Sequence, residues 1–153
     1  LHPFIIICMI VLVGWQTYDN VKTKYNDKFI DETQYPVKAC DYILENIDLS
    51  KARFYNEYNY GSYMIYRGIP VFIDSRADLY APEFSGLKDD IFTDFIDVSS
   101  IGTFYEDILE KYNITHVILY SNSKMSMIID ETKDPHYSKI YKDDYFVIYE
   151  RVK

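Results

Sequence analysis

Hydrophobic and polar positions fall into three regimes along the chain. From Phe4 to Trp15 it reads FIIICMIVLVGW, without a charge. A full membrane span needs about 20 apolar residues, so residues 1–18 are expected to be the last part of a transmembrane helix. Trp15 and Tyr18 then stand at the depth where amphipathic rings settle. A signal peptide would carry a basic segment before the run and small residues after it, but the sequel is Gln16-Thr17-Tyr18-Asp19. The competing reading of so short an apolar run is a buried element of a soluble domain. The first residue is Leu rather than Met, which predicts a start inside a longer polypeptide. Residues 19–35 mix Lys22, Lys24 and Lys28 with Asp19 and Asp27 and read as a juxtamembrane connector.

From residue 36 the pattern becomes regular. Val37, Cys40, Leu44 and Ile47 recur at helical spacing after Pro36, which predicts a helix over 36–47. A strand is expected over 52–57. Asn59-Tyr60-Gly61-Ser62 supplies turn and cap chemistry for a short helix that Gly68 stops. Pro70 to Asp74, PVFID, has the form of a buried strand, and 75–84 that of a loop. Helices are expected around 87–98 and 104–112, a strand over 115–120, a helix over 123–131, and a hairpin of 137–141 with 145–152. Strands alternating with helices predict α/β architecture. The expected fold over 36–153 is a three-layer, Rossmann-like, mostly parallel sheet, with the antiparallel hairpin added at one edge.

Composition narrows the function classes. The 153 residues carry 16 Lys+Arg against 24 Asp+Glu, a net charge of -8. This lacks the basic footprint of nucleic-acid binding. Hydrophobic residues make up 48%, and 17 residues are Tyr, enough burial to offset ordering entropy. Cys8 and Cys40 lie in different regimes and are not expected to pair. His2, His116 and His136 are scattered without Cys or carboxylate at ligand spacing, so no metal and no cofactor is expected. Nucleophile-elbow, dinucleotide and P-loop motifs are absent, and no catalytic residue is identified. The acidic balance leans the domain toward the extracytoplasmic side of a cell membrane. Asn113-Ile-Thr115 matches a glycosylation sequon, which carries meaning only in a cell that glycosylates.

In open α/β sheets ligands bind beyond the carboxyl ends of the strands. Two such ends are polar: Asn56-Glu57, and Asp74-Ser75-Arg76-Ala77-Asp78. A guanidinium between carboxylates suits a phosphate or a sugar hydroxyl; equally, Arg76 pairs with an Asp to hold the loop. Asn56 and Asn59 can bind a sugar with Tyr60 or Tyr63 stacked on its apolar face, or cap the following helix. The candidate ligand-binding residues are Asn56, Asn59, Tyr60, Asp74, Arg76, Asp78 and Tyr80.

The stretch Asn56 to Tyr80, NEYNYGSYMIYRGIPVFIDSRADLY, resembles a pattern in the C-terminal extracytoplasmic domains of bacterial multi-span membrane proteins. Those proteins are similar to GT-C type glycosyltransferases that use polyprenyl-phosphate sugars, relatives of protein mannosyltransferases. The residues carrying the likeness are Asn56, Tyr58, Tyr60, Gly61, Ser62, Tyr63, Pro70, Asp74, Arg76, Asp78 and Tyr80, with Ser62 and Ser75 where Gly is the usual residue. The resemblance implies an accessory domain that recognises a glycan or a polyprenyl-phosphate sugar while the catalytic carboxylate lies elsewhere in the parent protein. The alternative is a structural or protein-interaction domain of a membrane protein.

Overall fold

A computed structural model describes residues 2–26 and 30–152. Residues 27–29, in the expected connector, lie outside the described residues, as do both terminal residues. The chain divides into two units, 1–31 and 32–153. Among its described residues the first holds one helix, α1 (His2–Asn26). It runs past Tyr18, because nothing between Gln16 and Asn26 breaks a helix. Its Pro3–Lys22 stretch is long and apolar enough to cross a membrane, and its side chains are exposed.

The second unit is a mixed α/β body. Its elements are α2 (Val37–Asn46), β1 (Phe54–Tyr55), α3 (Tyr58–Tyr66), a single 3-10 turn (Ala77–Tyr80), the one-turn helix α4 (Pro82–Ser85), α5 (Ile91–Ser100), α6 (Tyr105–Lys111), β2 (His116–Tyr120), α7 (Lys124–Thr132), β3 (Tyr137–Lys142) and β4 (Phe146–Arg151). The strands form one sheet in the order β1-β2-β4-β3. Only β1 and β2 pair in parallel, through Phe54 with His116 and Tyr55 with Val117. The β2–β4 and β3–β4 pairings are antiparallel.

Two expectations need correction. The sheet is not mostly parallel, because the closing hairpin supplies half of its strands. Asp143 sets that hairpin by accepting from the backbone N–H groups of Tyr145 at 2.8 Å and Phe146 at 2.7 Å. In addition, Pro70 to Asp74 is not a strand. At its centre the backbone is bonded by the side chain of Asn56, which accepts from Phe72 N–H at 2.8 Å and donates to the Ile73 carbonyl at 2.8 Å. A carboxamide has the donor and acceptor of a peptide group. One side chain therefore takes the place of a ladder neighbour, and the hydrophobic pattern of a buried strand remains without the strand.

The core explains the tyrosine-rich, acidic composition. Tyr55, Tyr60 and Tyr149 are fully buried with Phe146, Ile118 and Leu119. Burying a phenol requires a partner for its hydroxyl, and carboxylates supply it at the edges. Tyr80 donates to Asp74, Tyr105 to Asp134, Tyr112 to Asp94, Tyr141 to Asp143 and Tyr149 to Asp130, all at 2.5–2.8 Å, and Tyr137 donates to Glu106. Burial and the carboxylate neighbours push these phenols up from their ordinary values. Cys8 and Cys40 are both free, and burial pushes the Cys40 thiol up to about 12.

Candidate functional site

The Asp74 loop lies beyond the carboxyl end of β1, and close packing puts it there. An added Cβ on Gly61 would fall 2.0 Å from the Ile73 carbonyl oxygen and 2.9 Å from the Asp74 Cα. Only glycine lets α3 lie this close to the segment, which overrides its poor helix propensity. Asn59, Tyr60, Gly61 and Ser62 consequently lie inside α3 rather than in a turn before it. Further ties come from α3: Tyr58 donates to the Ser75 carbonyl at 3.0 Å, and the Ser62 and Ser75 hydroxyls are 2.8 Å apart.

Asp74 is completely buried and fully used. Its Oδ1 accepts from Arg76 N–H at 2.8 Å and Arg76 Nε at 2.9 Å, and its Oδ2 accepts from Arg76 Nη2 at 2.6 Å and the Tyr80 hydroxyl at 2.7 Å. The Arg76 bonds, backed by Tyr80, hold its carboxyl down to about 2 against the effect of burial. Tyr80 is pushed up to about 12 by burial and this carboxylate. The Arg76 side chain is 59% exposed. One edge of the guanidinium is committed to Asp74 in a bidentate pair, and Arg76 borders an open depression of about 560 Å³ lined by residues 75–79. A neutralised, orientation-locked guanidinium at a rim can donate hydrogen bonds to hydroxyl or phosphoryl oxygens.

The structure thus brings Asn56, Asp74, Arg76 and Tyr80 together, with Asp78 on the same depression, and sets Asn59 and Tyr60 apart. Asp78 is exposed in the 3-10 turn beside Arg76, and Asn59 is exposed on the first turn of α3. Tyr60 is entirely buried, donating to the Ile118 carbonyl at 2.7 Å and packing edge-on to Tyr120 and Phe146. It offers no face for a sugar to stack on. Asn56 is equally buried, and its amide is spent on Phe72, Ile73 and Glu57.

Glu57, at the N-cap of α3, emerges as a titratable group. Burial pushes its carboxyl up to about 7, and the Tyr120 backbone N–H opposes that shift only in part. Its position directly after a short apolar strand was the signal available in sequence. Among the described residues no group of three or more His, Cys, Asp or Glu is placed to hold a metal ion. No protein-family model and no curated protein sequence matches this chain.

Proposed function

We propose that this chain is an accessory extracytoplasmic domain of a membrane glycosyltransferase-like protein, anchored through α1, that recognises a glycan or lipid-linked sugar at the Asp74 loop. The observation that carries the reading is the exposed Arg76 fork set on a buried, ionised Asp74. Such preorganisation lowers the entropy cost of presenting a long side chain to a ligand. The length and apolar character of α1 support the membrane anchor. The crossover from β1 to the parallel β2, which carries α3 to α6, supports a Rossmann-like, three-layer ancestry for the body. On this reading the catalytic carboxylate of the parent lies elsewhere in that protein, as the sequence resemblance implies.

A second reading has its own observation. Every Asp74 oxygen is satisfied within the loop, as in a purely structural staple. Titration of the full chain in detergent micelles with methyl glycosides and a short-chain polyprenyl phosphate separates the two. Saturable amide shifts confined to residues 74–80, abolished by Arg76→Ala in a protein with an intact spectrum, support recognition. Absence of shifts there, or shifts indifferent to Arg76→Ala, overturns it and leaves the staple.

A further inference from the structure

At the other end of the sheet, the starts of β1 and β2 and the end of β4 border a separate cleft of about 510 Å³. Lys51, Arg53, Arg151 and His136 line it, opposed by Glu106 and Glu110 of α6. Three permanent cations against two carboxylates is an unusual local balance in a chain with a net charge of -8. Glu106 is already committed. It accepts from Arg151 Nε at 2.8 Å, from Arg151 Nη2 and from the Tyr137 hydroxyl.

Arg53 is the exception among the arginines. Arg67, Arg76 and Arg151 each pair with a carboxylate, to Asp41, Asp74 and Glu106. Arg53 is fixed through its backbone alone: its N–H donates to Thr115 Oγ1 at 2.9 Å, and its carbonyl accepts from the N–H groups of Thr115 and His116. Its guanidinium has no hydrogen bond or ion pair among the described residues. His136 borders the same space with Nδ1 held 2.9 Å from Asp134 Oδ1, which leaves Nε2 as the available ring nitrogen. With Asp134 held on Nδ1, Nε2 is the ring atom that can meet an anion in the cleft. Lys51 stands at the rim, paired only with the exposed Asp48 at 3.2 Å.

A planar carboxylate is satisfied by the arginine fork alone. Donors arriving from separate elements suit a tetrahedral dianion better, and the cleft has room for an organic group beyond it. We propose that this cleft binds a phosphorylated small molecule, with the phosphate on the Arg53 fork and Lys51 and His136 as flanking donors. The site is independent of the Asp74 loop.

The test uses the full chain in detergent micelles at fixed ionic strength, titrated first with inorganic phosphate and then with glycerol 3-phosphate. The readouts are the His136 ring signals and calorimetry. Both probes saturate, the ester binds more tightly, Arg53→Gln weakens each by at least about tenfold, and the amides of residues 74–80 stay in place. The Arg53 side chain is exposed and unpaired, so the variant keeps its amide spectrum. No saturable response up to about 10 mM, or equal affinity in Arg53→Gln, overturns the site. Saturation by phosphate with no gain from the ester overturns the organic part of the ligand.

Discussion

The two ends of the sheet use the same residue types in opposite ways. Beyond the carboxyl end of β1, the polar side chains of Asn56, Asp74 and Tyr80 are spent on backbone groups of the loop and on one another. Around the amino ends of β1 and β2, polar groups surround open space, and Arg53 is left without a carboxylate. What separates them is burial. A carboxylate out of water must be bonded at every oxygen, so a buried Asp74 dictates where Arg76 goes, whereas an exposed Arg53 is dictated by nothing. Arginine near carboxylates is therefore a structural device at one end and part of an available donor set at the other.

Substitutions should separate the two ends by their effect on stability. The largest effect is expected for Gly61→Ala, whose methyl group collides with the Ile73 carbonyl. Overpacking against backbone should cost about 3 kcal/mol, read as a large drop in the melting temperature of the full chain; an unchanged melt would show that α3 and the loop are not tightly apposed. Asp74→Asn is next, at about 2 kcal/mol, because it breaks the bidentate pair in a buried site. The wild-type carboxyl sits near 2, below its unfolded value, so its stabilising contribution is complete above about pH 4 and is lost as the pH falls toward 2. The variant should lose that acid dependence.

Glu57 behaves with the opposite sign. Its folded value, near 7, lies above the ordinary 4.5, so its contribution is fully present below about pH 4.5 and is lost as the pH rises through 7. Glu57→Gln should raise stability at about pH 8 by about 1–2 kcal/mol and leave acid stability unchanged. Equal melting temperatures of variant and wild type at both pH values would remove Glu57 from the account. At the amino end Arg53→Gln should shift the melt by about 2 °C or less. A larger shift would mean that Arg53, like Arg76, is structurally committed.

Much of this organisation was legible in the sequence. Helical periodicity located α2, α5, α6 and α7, and alternation located the β3–β4 hairpin, because each buries one face of a regular element. The contiguous apolar run marked α1. Periodicity misread Pro70 to Asp74, since a segment laddered by an Asn side chain buries the same residues as a strand. It also placed Asn59 to Ser62 in a turn, because the close approach that makes Gly61 necessary is a tertiary contact. The Asp74, Arg76 and Tyr80 cluster was readable from spacing within one loop. The Arg53 and His136 cleft was not, as its residues come from segments more than 80 positions apart. The abundance of Tyr and of carboxylates was plain in composition, but only the fold shows that they consume one another.

The claim on which the carboxyl-end site depends is that the Asn56 side chain stands in for a β neighbour and thereby fixes the loop bearing Asp74 and Arg76. Amide hydrogen exchange at Phe72 tests it directly. Its N–H, bonded to Asn56 Oδ1, should exchange slowly in the native chain and at least about 100-fold faster in Asn56→Ala, beyond any change in the β2 amide of Leu119. Rapid exchange at Phe72 in the native chain, or Phe72 and Leu119 accelerating equally in the variant, would contradict the account.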